Sequence, residues 1–155
     1  MKIHIFHQKD LKQNYVELHY GKLDEETITV RNYLESLEKS IVGKNRDEEK
    51  ERLIKAGEIL YLEVVDRKCF VYLSDSEWQT DMTIQGFLDI FHEQGFVRVS
   101  KSTAVNIYRI KELKAGLNMR IHILLDNGET VVLNRNYRAD FLRYIEKLRE
   151  GEAFA

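Results

Sequence analysis

Residues 96–110 read FVRVSKSTAVNIYRI, and this stretch decides the fold. Its apolar residues alternate with Arg98, Ser100 and Ser102, and a period of two is typical of β-strands. The polar middle of the stretch therefore predicts two strands joined by a loop at Lys101. Such a loop can contact phosphates or reach base edges of a duplex, but the same residues also suit an ordinary solvated turn.

The segment before this stretch predicts a hairpin. Residues 58–65 and 68–74 are strand-like runs, and only Asp66 and Arg67 separate them, which is the spacing of a tight two-residue turn. A third run, residues 77–82, continues the predicted sheet.

Two helices frame the remaining strands. Thr83 can cap a helix that ends at Gly95, and its apolar face consists of Ile84, Phe87, Leu88 and Phe91. Further strands are predicted at residues 96–99, 104–107, 112–116, 120–125 and 130–133. Asn136 can cap a last helix with an apolar stripe of Phe141, Leu142, Ile145 and Leu148. The predicted fold class is mainly β with helices, an α+β arrangement.

The N-terminal third reads as a separate arm. Residues 2–6 and 14–20 alternate at period two and predict a short hairpin. From Val30 to Ile41 the apolar period becomes helical, Thr29 can cap the start, and Gly43 follows the end. Residues 44–50, KNRDEEK, lack apolar side chains and predict either a solvated linker or a frayed helix end.

Composition describes an ordinary globular chain without a global charge signal. The 155 residues are 43% hydrophobic and 32% charged, with a formal net charge of -2, enough for one core with a small appendage. The charge is unevenly spread, because residues 96–138 contain eight basic and three acidic side chains. The N-terminus lacks the pattern of a secretory signal, and no apolar run reaches membrane-spanning length. We therefore expect a soluble, cytoplasmic protein.

No motif of an enzyme or metal site is present in the sequence. It contains no phosphate-binding glycine loop, nucleophile elbow, paired-histidine motif or CxxC, so we expect no catalytic residues, metal ligands or cofactor. His4 and His7 come nearest to a metal-ligand pair, but scattered histidines are more often surface residues. Cys69, the single cysteine, lies beside Phe70 in an apolar run, which favours a buried thiol over a redox switch.

Several motifs in one order resemble the LytTR DNA-binding domain family of bacterial regulators. They are the run ILYLE at 59–63, a hairpin, the helix at 84–93, FVRVSKSTAVNIYRI, an Asn-Gly turn, and LNRNY before a helix. The family's core is close to FxRxHRSxxVNxxxI. This chain keeps its residues at Phe96, Arg98, Ser102, Val105, Asn106 and Ile110. It departs at Ser100 and Lys101, where histidine and arginine are common, so a base preference does not carry over.

The resemblance implies which residues bind DNA. Family members fold as an elongated set of small sheets and insert loops into the major groove, so Lys101 and Arg135 are the principal candidates for base contacts. The hairpin turn at Arg67 and Lys68 corresponds to a further contact. Arg98, Ser100 and Ser102 would hold the loop or the DNA backbone, and Asn134 beside Arg135 completes the set.

Ordinary structural roles compete with some of these assignments. Arg135 could instead pair with Asp140 or Glu146, and the hairpin cations could be simply solvated. Asn106, between two apolar residues, is expected to organise the backbone rather than touch DNA.

The resemblance also implies an organisation and a set of partners. We assign residues 1–50 to an N-terminal strand and helix arm with a linker, 51–149 to the LytTR DNA-binding domain, and 150–155 to a C-terminal tail. The arm is too short for a phospho-receiver domain, which predicts a stand-alone transcriptional regulator. Its implied ligand is double-stranded DNA with repeated half-sites, and its implied protein partners are a second copy of the chain and a regulatory membrane protein. The alternative is an interaction module of the same fold that antagonises a related regulator without binding DNA.

Overall fold

The structure, a computed structural model, describes the backbone of residues 1–150 and the side chains of residues 1–147. The described chain contains three α-helices: α1 (Glu25–Glu38), α2 (Ile84–Phe91) and α3 (Arg138–Glu150). Its strands are β1 (Ser40–Asn45), β2 (Lys50–Lys55), β3 (Tyr61–Val65), β4 (Lys68–Tyr72), β5 (Glu77–Thr80), β6 (Phe96–Ser100), β7 (Thr103–Asn106), β8 (Ile110–Ala115), β9 (Ile121–Leu125) and β10 (Thr130–Leu133). The predicted α+β class is confirmed. Residues 151–155 of the predicted tail lie outside the described residues.

The strands form two antiparallel sheets. The larger sheet has the order β2-β1-β5-β4-β3-β7-β6, and the smaller one has the order β10-β9-β8. The edge strand β6 meets the smaller sheet, because the backbone N–H of Asn134, just after β10, donates to the carbonyl of Val99 at 2.9 Å. This hydrogen bond joins the two sheets at one edge. Within the described chain, no helix is long and apolar enough to cross a lipid bilayer.

The two faces of the larger sheet pack against different elements, and β6 belongs to both cores. Phe96 lies in a core that also contains the apolar face of α2, whereas Val97 and Val99 lie in a second core with the smaller sheet and α3. Successive side chains of a strand point to opposite faces, so one short strand can serve both cores. Phe141 of α3 is fully buried in the second core.

Helix α2 forms as the sequence predicts. The Thr83 hydroxyl accepts a hydrogen bond from the N–H of Gly86 at 2.9 Å, which caps the first turn. After a 3-10 turn at residues 92–94, Gly95 adopts a φ of 97°, the left-handed conformation that glycine tolerates best. The predicted apolar face is buried, and its members are Ile84, Phe87, Leu88 and Phe91.

The predicted hairpin of residues 2–6 and 14–20 does not form, so that prediction was wrong. No described residue before Glu25 lies in a helix or strand, and Ile5 and Phe6 remain 90% and 86% exposed. An isolated two-stranded hairpin buries little apolar surface and is at best marginally stable, so alternation alone is insufficient here.

Helix α1 is present, but its predicted cap at Thr29 and its end at Ile41 were wrong. Asp24 caps the helix instead, since its carboxylate accepts hydrogen bonds from the hydroxyl and the N–H of Thr27 at 2.6 and 2.9 Å. These bonds lower the pKa of Asp24. Ile41 is buried in β1. The buried face of α1 is largely polar and consists of Thr27, Ile28, Asn32 and Ser36.

Residues 44–50 include the turn of a β-hairpin, so the prediction of a linker or frayed helix end was wrong. β1 and β2 pair along their whole length, and in the turn the Asn45 side-chain oxygen accepts a hydrogen bond from the N–H of Glu48. Gly43 lies within β1 rather than after a helix, and a Cβ there would come within 2.8 Å of Trp78 Cβ. The pairing of β1 with β5 is a tertiary contact that local sequence does not encode.

Candidate nucleic-acid interface

The turn between β3 and β4 has the two-residue geometry that the sequence predicts. Asp66 and Arg67 both have positive φ, 50° and 65°, as the tight hairpin turn that follows the natural strand twist requires. The side chains of Arg67 and Lys68 are exposed. This turn therefore presents two neighbouring cations to solvent.

The turn between β6 and β7 presents Lys101. A bulge interrupts the pairing between Arg98 and Ser100, and such bulges bend a strand and redirect its side chains. Ser100 Oγ accepts a hydrogen bond from the N–H of Ser102 at 3.3 Å, so both serines shape the turn. Lys101 itself is exposed.

Arg98 lies below this turn in β6. Its side chain is half-buried, and its Nε is buried without a hydrogen bond in the described chain. This position favours a role for Arg98 in supporting the loop over a role as a base-contacting residue at the loop tip.

The turn between β10 and α3 presents Arg135. Asn134 accepts a hydrogen bond through its side-chain oxygen from the N–H of Asn136 at 3.3 Å and so caps the 3-10 turn of residues 135–137 that leads into α3. Asn136, the predicted cap of the last helix, lies inside that turn. Arg135 is exposed in the following 3-10 turn. Among the described residues it makes no ion pair, and Asp140 pairs with Arg143 at 3.5 Å instead.

Backbone hydrogen bonds bring these three turns to one end of the molecule. Antiparallel β3 and β7 pair with Glu63 opposite Thr103, and the N–H of Val64 donates to the carbonyl of Ser102 at 2.8 Å. The first two turns are therefore neighbours. The hydrogen bond from Asn134 to Val99 attaches the third turn beside them.

The β8–β9 turn, residues 116–120, lies at the same end of the smaller sheet. Ile121, the first residue of β9, pairs with Ala115 on one side and with Leu133 on the other. The turn therefore adjoins residues 134–136. Sequence reasoning gave this turn no function, because a single Arg120 among apolar and amide residues carries no motif.

The two ends of the molecule differ in charge. We call the end with residues 66–68, 100–102, 116–120 and 134–136 the basic end, and it carries five basic side chains and one acidic one. We call the opposite ends of the same hairpins, residues 73–76 and 126–129, the acidic end. It carries three acidic side chains, and Arg109 lies among them, in an ion pair with Asp126 at 3.0 Å and donating a hydrogen bond to the Ser74 hydroxyl at 3.1 Å. The turns at the two ends therefore differ in charge, although the whole chain has a formal net charge of only -2.

Asn106 has the structural role that the sequence predicts. It is 2% exposed, its side-chain amide donates to the carbonyl of Ile59 at 2.9 Å, and its side-chain oxygen accepts from the N–H of Tyr108 at 3.1 Å. The residue therefore fixes the start of β3 against the end of β7 and does not reach the basic end.

Replacing Asn106 with alanine is expected to lower the free energy of unfolding by about 1–3 kcal/mol, because the buried carbonyl of Ile59 loses its donor. Urea denaturation measures the change. Asn127→Ala is the matched control, since Asn127 caps only a turn through the N–H of Glu129. Equal losses in the two variants would contradict the role of Asn106.

Cys69 is a buried core residue, as the sequence favours. It is 5% exposed, and burial raises the pKa of its thiol to about 11. The thiol therefore stays protonated near neutral pH and is a poor nucleophile.

Comparisons with known proteins agree with the resemblance seen in the sequence. Residues 49–146, more than half of the chain, match the LytTr DNA-binding domain family. The chain is 22% identical over 137 residues to an uncharacterised HTH-type transcriptional regulator of Staphylococcus aureus strain NCTC 8325, an alignment that covers 88% of this chain and 92% of that protein. The counterpart in strain MRSA252 is 21% identical with the same coverage.

The fold has a solved counterpart. It is similar to the LytTr DNA-binding domain of a protein described as a methyl-accepting/DNA response regulator from Bacillus cereus, with a TM-score of 0.64 and 23% sequence identity. The similarity covers 68% of this chain and 95% of that one. In the described part of this chain strands separate the three α-helices, so no helix-turn-helix unit accounts for the matches. The chain belongs to the LytTR family of DNA-binding domains.

Proposed function

We propose that this protein is a transcriptional regulator that binds specific sequences in double-stranded DNA. In this proposal the turns at Arg67, Lys101 and Arg135 enter major grooves of one duplex. The observation that carries it is the attachment of all three turns to one end by backbone hydrogen bonds through Ser102 and Val99. Turns held in this way can contact a duplex without first becoming ordered, which reduces the entropic cost of binding.

The chemistry of each side chain suggests its role. Lys101 and Arg135 are exposed at turn tips, so we assign them to base edges, where long cationic side chains bind guanine. Arg67 and Lys68 supply a further contact. Arg98, Ser100, Ser102 and Asn134 support the loops or bind the DNA backbone, which positions the protein without reading sequence.

The rest of the chain has a regulatory role in this proposal. We assign DNA contacts to residues 51–149, which contain every turn of the basic end, and regulation to the arm, residues 1–50. Two copies of the chain would occupy repeated half-sites in the DNA. A regulatory membrane protein would bind the arm at the cytoplasmic face of the membrane. The reaction is binding alone, with no catalytic step or cofactor.

Selection of bound fragments from random DNA, followed by a salt titration, tests the proposal. We expect one enriched sequence with a repeated half-site and two chains bound per site. If about four phosphates are neutralised, affinity should fall on the order of 100-fold between 50 and 200 mM salt, because bound counterions are released. Fluorescence anisotropy with a labelled duplex measures both affinity and stoichiometry.

Absence of enrichment together with absence of salt-dependent binding would overturn the proposal in favour of the interaction module that lacks DNA binding. One chain per site would contradict the dimer alone. The cations that lie together at the basic end favour DNA binding, because an interaction module that does not bind DNA would not need a cluster of exposed cations.

A further inference from the structure

A polar cavity of about 350 Å³ lies between the β8–β9 turn and the β10–α3 turn. Five residues line it, namely Asn118, Arg120, Asn134, Arg135 and Asn136. All five side chains carry hydrogen-bond donors, and no carboxylate is among them. The lining therefore suits an anion.

The β8–β9 turn holds its part of this cavity in a defined shape. Asn118 and Met119 adopt left-handed backbone conformations, with φ values of 56° and 61°. The N–H of Gly116 donates to the carbonyl of Arg120 at 2.9 Å, and the N–H of Arg120 donates back to the carbonyl of Leu117 at 3.2 Å. These two bonds close the turn and fix the position from which the Arg120 side chain extends.

The turn lies close to the His122 side chain at Gly116. A Cβ on Gly116 would come within 2.6 Å of His122 Nε2, so the turn packs directly on the imidazole. The turn is therefore supported from the sheet below it.

The donors around the cavity lack partners of opposite charge. Neither Arg120 nor Arg135 makes an ion pair with another described residue. The side-chain oxygen of Asn134 already accepts a hydrogen bond from the N–H of Asn136, which leaves its NH₂ group to donate. Two guanidinium groups beside one cavity create a positive potential that favours a bound anion.

We propose that this cavity binds a phosphodiester of the DNA backbone and that Arg120 is its principal ligand. The inference rests on the proposed function, because Arg135 lines the same cavity and is assigned in that proposal to a base edge. It adds a fourth DNA-contacting turn, contributed by the smaller sheet. In this arrangement Arg120 contacts a phosphate and fixes the position of the protein along the duplex, whereas Arg135 contacts a base edge.

Arg120→Gln tests the proposal, with Lys111→Gln as the matched control. Lys111 is an exposed cation on the same hairpin, near the acidic end and about 17 Å from the β8–β9 turn at the rise of a β-strand. For Arg120→Gln we expect about tenfold weaker binding to both the selected duplex and an unrelated one. The slope of log K against log salt should become shallower by about one. Lys111→Gln should change neither quantity.

Arg120→Lys keeps the charge and should restore the slope. Inorganic phosphate added at constant ionic strength separates a backbone phosphodiester from a free phosphate, and we expect it not to compete with the duplex. Competition that is lost in Arg120→Gln would overturn the assignment to DNA.

An Arg120→Gln variant with wild-type affinity and slope would overturn the inference while leaving the proposed function intact. A loss confined to the selected sequence would also overturn it, because Arg120 would then read a base. Failure of the wild-type protein to bind any duplex would overturn the proposed function and this inference together. Circular dichroism of each variant confirms that the fold is retained.

Discussion

Replacing Lys101 or Arg135 with alanine is expected to weaken binding to the selected duplex by about 1–3 kcal/mol at each position. Each side chain is exposed at a turn tip, so its removal leaves a base edge without a partner and leaves the protein fold unchanged. Binding to an unrelated duplex should weaken much less, which means that specificity relaxes. Anisotropy titrations with both duplexes measure this ratio.

The double variant, with both Lys101 and Arg135 replaced by alanine, tests whether the two side chains contact different bases or share one. The two residues lie on different turns, so the losses should add within about 0.5 kcal/mol if they do not share a base. Lys111→Ala removes an equal charge far from the basic end and serves as the control. Unchanged affinity in both single variants would remove Lys101 and Arg135 from the site.

Replacing Phe141 with alanine is expected to lower the free energy of unfolding by about 3–5 kcal/mol. Phe141 is fully buried between β6 and the smaller sheet, so truncation leaves a cavity in the core that also contains Val99. A domain of this size is typically stable by about 5–15 kcal/mol, so the variant should be close to unfolding. Urea denaturation followed by tryptophan fluorescence measures the loss.

Leu142→Ala is the control for Phe141, because the neighbouring Leu142 is 40% exposed. Its cost should be about 1 kcal/mol or less. If Phe141→Ala is too unstable to purify, Phe141→Leu retains most of the volume and should still cost more than the control. Similar stability of all variants would show that α3 contributes little to the second core.

The sequence predicted an element correctly where a capping or turn residue marks each of its ends. Thr83 and Gly95 mark the ends of the α2 segment, and the pair Asp66 and Arg67 leaves room only for a tight turn. The spacing within FVRVSKSTAVNIYRI likewise gave both β6 and β7, because alternation, loop and return to strand occur within one short stretch. Each of these signals depends only on residues that are close together in the sequence, so it can be recognised without knowledge of the tertiary structure.

Elements defined by distant contacts were the ones that sequence reasoning missed. The β1–β2 hairpin has a fully polar turn and is placed by its pairing with β5, so its residues read as a linker. Asn134 and Asn136 are both good caps, and local sequence cannot choose between them. The cavity at Arg120 lies where the turns at residues 116–120 and 134–136 meet, and no motif in the sequence assigns a ligand to either arginine there.

The basic end carries a net charge of +4 (five basic minus one acidic), and the acidic end, with Arg109 included, carries -2 (one basic minus three acidic), so these turns contribute an electric dipole along the hairpins. A polyanion approached from solution exerts a torque on such a dipole, so the protein turns its cationic turns toward the duplex before contact. An overall formal charge of -2 is thus compatible with rapid, oriented encounter, and that advantage diminishes as salt shortens the range of the field.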